Sequence, residues 1–295
     1  MSEHVMEITA LKAFIAVAEN SSFSIAADKI FITQPAISKR IAILESQLST
    51  SLFDRIGRQI QLTEAGRALL PRALKIINEV DDSRRAIANL SHKIEGKLSI
   101  GTSHHIGLHR LPPVLREYIQ RYPDVELDLN FMDSEEACRA VERGEVELGI
   151  VTLPLNPNEH LNLMPVWKDR LQLITGKDHP FVGRKMIKIE ELAQHPAILP
   201  ASGTYTRQLV ENAFAKCGIT PKSVIDTNYL ETIKMLVSVG MGWSILPTSM
   251  LDKTIVSYEV EPFNISRQLG SVTHVRYTLS NAAVAMQEMI KQTHD

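Results

Sequence analysis

The sequence predicts a mainly α N-terminal module with a winged helix-turn-helix, a long linker helix, and a C-terminal α/β domain of two lobes. Three observations lead there. Residues 29–75 carry eight Lys and Arg against three Asp and Glu, a local charge of +5 in a chain whose total is −2, so the remainder is −7. Apolar residues then fall into a heptad over residues 69–90. From residue 97 on, short apolar runs alternate with helical stretches, which argues for α/β architecture with mostly parallel sheets. The 295 residues suit two or three domains. With 44% hydrophobic and 22% charged residues, disorder, collagen and a coiled-coil rod are excluded.

The elements follow in order. Ile8, Leu11, Phe14, Ile15 and Ala18 repeat at helical spacing, and Asn20, Ser21 and Ser22 stop and restart the chain before a short helix around Ser24–Ile30. Thr33 is placed to cap the next helix and Pro35 suits its first turn, giving a helix over residues 34–48. Ile37, Ile41, Leu44 and Leu48 form its apolar stripe, while Pro35, Ser38, Lys39 and Ala42 point the other way. A helix, a tight turn and a second helix with a small, polar, basic outer face is the pattern that enters the DNA major groove. Leu52–Arg55 and Ile60–Leu62 read as two extended pieces around Gly57, a wing whose Arg55 and Arg58 reach phosphates or the minor groove.

Thr63-Glu64 opens a long helix whose apolar positions step through Leu69, Ala73, Ile76, Val80, Ile87 and Leu90, with Ser83 the one polar break. Such a seam is best buried against a second copy, so a homodimer is expected, with packing on its own domain as the alternative. Pro71 costs this helix one backbone hydrogen bond. Residues 91–96 are polar and end in Gly, which suits a hinge. Beyond it, strands are expected at Leu98–Gly101, Val125–Phe131, Val146–Thr152, Leu171–Thr175, Ala197–Leu199, Val224–Thr227 and Ser244–Leu246. Helices are expected at Leu111–Arg121, Glu135–Arg143, Tyr205–Lys216 and Tyr229–Val239.

Cys138 and Cys217 stand far apart, which encodes neither a disulfide framework nor a zinc site. No apolar run reaches signal-peptide or membrane-span length, so a cytoplasmic protein with no membrane partner is expected.

The ordered set Phe23-Ser24-Ile25-Ala26-Ala27-Asp28, Thr33-Gln34-Pro35-Ala36-Ile37-Ser38, Leu44-Glu45, Leu52-Phe53-Asp54-Arg55 and Leu62-Thr63-Glu64-Ala65-Gly66 resembles the N-terminal signature of LysR-type transcriptional regulators. Leu111-Pro112-Pro113, Arg143–Ile150 and Gly240–Pro247 look like that family's effector-domain landmarks. The resemblance implies a winged helix-turn-helix over residues 1–62, a dimerising linker helix over 63–90, a hinge at 91–96 and an effector-binding domain over 97–295. That domain is similar to periplasmic solute-binding proteins, with lobe I at 97–162 and 269–295 and lobe II at 163–268.

Carried onto these residues, the start of the recognition helix meets base edges: Gln34 pairs with adenine, Ser38 donates or accepts, and Lys39 reaches guanine or a phosphate, with Pro35 on the same face. Thr33, Arg40, Arg55 and Arg58 position phosphates. The implied partners are double-stranded DNA, a second copy, RNA polymerase, and a further assembly to a homotetramer. No cofactor is implied.

Two-lobed α/β domains bind ligands between the lobes, where helix N-termini present free N–H groups. Thr102, Ser103, His104 and His105 follow the first strand, and Ser202, Gly203, Thr204 and Tyr205 follow another and open a helix. Hydroxyls with free N–H groups suit a small carboxylate or inorganic oxyanion. By the resemblance Thr152 faces the cleft, with Met132, Asn228 and Pro247 at its rim. His104, His105 and His109 have no carboxylate or cysteine at fixed spacing, so no metal is expected; either they lie satisfied near the cleft mouth or a protonated ring contacts the effector. The competing functions are a solute-binding protein or an enzyme on the same two-lobed fold, but no catalytic constellation has convincing spacing.

Overall fold

The computed structural model describes residues 6–56, 59–184, 187–258 and 265–293. The chain divides into two compact units, meeting between Leu90 and Ser91. The first unit runs α1 (Ile8–Asn20), α2 (Phe23–Lys29), α3 (Gln34–Leu48), an antiparallel hairpin of β1 (Phe53–Ile56) and β2 (Gln59–Leu62), and α4 (Glu64–Asn89). Side-chain oxygens cap three helices: Ser22 accepts from Ile25 N, Thr33 from Ala36 N and Thr63 from Gly66 N. Leu11, Phe14 and Val17 of α1, Ala26 of α2, Ile37, Ile41 and Leu44 of α3, Leu52 and Ala73 share one core. The tight turn between α2 and α3 puts Phe31 in the left-handed region, φ 56°, with its side chain 94% exposed.

The β1–β2 hairpin is tied to α3 through Glu45, whose Oε1 accepts from Leu52 N (2.7 Å) and Phe53 N (3.3 Å). Gly66 explains itself sterically, because a Cβ there would stand 2.2 Å from the Leu52 carbonyl oxygen. The heptad of α4 divides between two roles. Ala73 is fully buried and Leu69 packs on the unit's own core, whereas Ile87 and Leu90 are 70% and 76% exposed. The first turns of α4 thus pack on their own unit, while its last turns present apolar side chains at the surface.

The second unit contains β3 (Gly96–Thr102), α5 (His104–His109), α6 (Leu111–Arg121), β4 (Val125–Phe131), α7 (Ser134–Arg143), β5 (Leu148–Thr152) and the long β6 (Leu161–Gly176). It continues through α8 (Ile189–Leu192), β7 (Ala197–Leu199), α9 (Tyr205–Ala215), β8 (Ser223–Asp226), α10 (Leu230–Ser238), β9 (Ser244–Pro247), β10 (Ile255–Tyr258), β11 (Ile265–His274) and α11 (Asn281–Gln292). Seven strands join in the order β10-β6-β11-β5-β3-β4 with β9 also on β6, and β7 pairs β8 separately. The expectation of mostly parallel sheets needs correction. Among the described strands the parallel pairs are β3–β4, β3–β5 and β7–β8, whereas β11 runs antiparallel to β5 and β6, and β9 and β10 antiparallel to β6. The reason is that β6 and β11 are long return strands, and the sequence reading of Leu171–Thr175 caught only the end of the first.

Alternation along β5 separates the first lobe's two cores: Leu148 and Ile150 pack with α6 and α11, Val151 with α7. In the second lobe Leu171 and Leu173 of β6 pack with α8 and α9, and Ile174 with α10. The change from one lobe to the other falls inside β6, since Trp167 belongs to the first lobe's core and Leu171 to the second's.

Candidate functional site

Two polar constellations stand out, one in each unit. In the first, the start of α3 is exposed: Thr33, Gln34, Pro35 and Lys39 lie at the surface, Ser38 and Arg40 partly so. Gln34 Nε2 donates to Ser38 Oγ at 3.1 Å, which fixes two groups one turn apart as a joint donor and acceptor array. Burial of Ile37, Ile41 and Leu44 turns this face outward. Arg55 belongs to β1, and its side chain, like all of Arg58, lies outside the described residues.

In the second unit, four helix starts converge on a solvent-open cleft. Ser103 caps α5, Thr204 caps α9, and Asp133 and Tyr229 precede α7 and α10. The cleft is lined by the expected Ser103, His104, His105, Thr152, Thr204 and Asn228, together with Asp133, Ser134, Glu135, Pro200, Thr206, Leu230 and Arg267. Asn228 Nδ2 donates to Asp133 Oδ2 at 2.6 Å, and the Tyr205 N–H donates to the Glu135 carboxylate, so each contact joins one lobe to the other. Burial pushes the Glu135 carboxyl up, against the hydrogen bond from Tyr205 that lowers it. Gly107 lets α5 lie against this region, since a Cβ there would meet Phe131 Cε1 at 2.4 Å.

Several expected residues lie elsewhere. Thr102 is fully buried outside the cleft lining, and its hydroxyl donates to the Ile150 carbonyl at 2.7 Å, bracing the sheet. Met132 and Tyr205 pack against the Ala137–Val141 core, and Pro247 is buried opposite Leu171 in the sheet. Ser202 and Gly203 form an exposed turn that does not line the cavity. Cys138 is buried in the first lobe with its thiol pushed up to about 11 by burial, and Cys217 is exposed after α9. At His105 burial first, then Arg267, His109 and Arg110, hold the pKa down to about 2, which works against the protonated alternative for that ring.

Arg267 is the group the sequence reading missed. It is 5% exposed, with Nε on Asp169 Oδ2 (2.8 Å) and Nη1 on Thr206 Oγ1 (2.9 Å), while Nη2 has no partner. The signal was present in β11, where Arg267 sits two residues from Ile265 and two from Leu269 on the inward side of an alternating strand. Asp169 holds the matching inward position between Trp167 and Leu171 on β6, and the two pair across the sheet.

A helix-turn-helix unit joined to a two-lobed domain with a cleft between its lobes defines a ligand-responsive DNA-binding regulator. Residues 8–67 match the model of the bacterial regulatory helix-turn-helix protein, lysR family, and residues 91–295 match the LysR substrate binding domain. The protein belongs to the LysR family of transcriptional regulators. It is 31% identical to the HTH-type transcriptional regulator CysL of Bacillus subtilis, over 87% of this chain and 85% of that one. It is 33% identical to a probable RuBisCO transcriptional regulator of Synechocystis, over 99% and 88%. The fold is that of full-length CbnR complexed with its target DNA, at TM-score 0.66 and 21% identity, covering 97% of this chain and 99% of that one. Among the described residues, no helix is long and apolar enough to cross a membrane.

Proposed function

We propose that this regulator senses a small anion, a carboxylate or an inorganic oxyanion, held in the interlobe cleft. The observation that carries this reading is the unpartnered Nη2 of Arg267, a buried guanidinium donor in a cavity rimmed by Ser103, Thr152, Thr204 and Thr206. A buried N–H left without an acceptor is costly, and an anion oxygen removes that cost with a charge-assisted bond. The converging helix starts add partial positive charge. Asp133 and Glu135 oppose it, but Asp133 is paired with Asn228 and burial makes Glu135 easier to protonate.

The same reading assigns DNA to the face of Gln34, Pro35, Ser38 and Lys39, with Thr33, Arg40, Arg55 and Arg58 on phosphates. It assigns a second copy to the exposed end of α4, further assembly to a tetramer, and contact with RNA polymerase at the promoter. CbnR, the neighbour described above, is recorded on DNA, which supports the first assignment. Anion binding favours one arrangement of the lobes and so shifts the population that engages the promoter productively.

The test is a thermal-shift screen of the full chain against small carboxylates, sulfate and phosphate. At least one anion is expected to raise Tm, and the double variant Asp169→Leu with Arg267→Met, which replaces a buried ion pair by apolar groups of similar size, is expected to abolish that rise while still binding DNA. A cleft indifferent to every anion, or an undiminished response in the double variant, refutes the reading.

A further inference from the structure

The cleft does not account for His109 and Glu231. His105 and His109 stand one helical turn apart on α5, α10 brings Glu231 to them, and one ligand atom from each lies within 4.8 Å of the others. His109 Nε2 is 3.0 Å from Glu231 Oε1, although 122 residues separate them in sequence. In a tetrahedral site with bonds of about 2.0–2.1 Å, ligand atoms stand roughly 3.3 Å apart. That pair is already close to the required separation. The widest gap in the triad must close by roughly 1.5 Å on the same geometry, a shift that the exposed His109 and half-exposed Glu231 can make.

A second observation is independent of this spacing. His105 is 5% exposed, and neither Nδ1 nor Nε2 has a hydrogen-bond partner. Buried imidazoles ordinarily have at least one. A neutral imidazole with neither nitrogen engaged keeps a lone pair free to ligate metal.

The surrounding charges select the kind of ion. Arg267 and Arg110 lie near His105, but Asp169 stands 2.8 Å from the first, 3.8 Å from the second and 3.9 Å from His105 Nε2, and Glu231 adds another negative charge. Lys234, one turn along α10, is engaged by Asp252 at 2.7 Å. The fixed charges nearly cancel. Mg²⁺ and Ca²⁺, which depend on several hard oxygen ligands, gain little here, whereas two imidazoles and one carboxylate suit zinc and its neighbours.

We propose that His105, His109 and Glu231 form a binding site for a divalent transition-metal ion of the zinc class, with one coordination position left open. The ion ties α5 of the first lobe to α10 of the second. Because His105 also lines the cleft, metal occupancy fixes the orientation of a ring that an effector meets. The proposal stands whether or not the effector is an anion.

Untagged, metal-free, full-length protein titrated with Zn²⁺ by calorimetry and with Co²⁺ by visible absorption tests it. One tight equivalent per chain is expected, with a four-coordinate Co²⁺ spectrum that Zn²⁺ displaces and excess Mg²⁺ leaves unchanged. His109→Asn and Glu231→Gln alter solvent-facing side chains and so preserve the fold; each is expected to weaken Zn²⁺ binding at least about 100-fold, since even groups that merely orient ligands cost 10–100-fold. Absence of stoichiometric binding to the unaltered chain, or equal binding by the H109N/E231Q double variant, overturns the proposal.

Discussion

The two units hold their functional groups in opposite ways. On α3 the DNA-facing candidates are sequence neighbours, exposed, and held outward by a buried stripe beneath them. At the cleft the polar groups come from helix starts and from β11, and the central charge, Arg267, is buried. An exposed face can change its chemistry without disturbing the fold. A buried charge supports its surroundings with the same atoms it could offer a ligand, so changing the chemistry of the second unit's cleft also changes its stability.

The sharpest way to break that contrast is Asp169→Ala, which leaves the Arg267 guanidinium buried without its carboxylate. A loss of about 3–5 kcal/mol is expected, read as a lowered Tm for the effector unit's transition in scanning calorimetry, with the N-terminal transition unmoved. The D169L/R267M double variant is expected to recover most of it.

Next in size is pH. His105 is held neutral in the fold while an unfolded chain takes up a proton below about 6.5, so stability is lost as pH falls through that value, about 2 kcal/mol by pH 5. His179 and His274, whose pKa values burial also lowers, act in the same direction. Glu135, pushed up by burial, contributes with the opposite sign, so Glu135→Gln is expected to steepen the loss. The only histidine in residues 1–90 is His4. Unfolding followed between pH 7 and 5 is expected to weaken the effector unit alone; equal weakening of both removes the contrast.

The smallest effect on stability and the most selective effect on binding belong to α3. Gln34→Ala is expected to leave Tm unchanged while narrowing the gap between operator and competitor DNA by about 1–3 kcal/mol. Lys39→Ala is expected to weaken binding to all DNA and lower the salt slope by about 0.9 if the side chain serves a phosphate. Competition binding at several salt concentrations separates the two roles, and identical behaviour of both variants denies the division.

The same contrast governs what could be read from sequence. The helix over 34–48, its Thr33 cap and its buried stripe follow from contacts within a few residues, and the structure has them as expected. The helix Leu111–Arg121 and strand Val125–Phe131 were legible for the same reason. Thr102 misled because a hydroxyl at a strand end reads alike whether it faces a ligand or, as here, the Ile150 carbonyl 48 residues away. Arg267 and Glu231 escaped because their partners lie 98 and 122 residues distant, and only the tertiary fold brings them together. The long β6 was read only in part and β11 was missed, because their inward positions carry Asp169 and Arg267, charges that interrupt an apolar pattern although they neutralise one another.

That pair of strands is also what joins the lobes. Every residue from Ile265 to His274 has a partner on β6, and the one irregularity falls between Leu269 and Gly270. At Gly270 the backbones approach so closely that a Cβ would stand 2.1 Å from the Met164 carbonyl oxygen. Two hydrogen-bonded strands shared by both cores join the lobes through a continuous ladder and not through loose loops, and the bulge at Leu269–Gly270 is the place along them where added twist is concentrated.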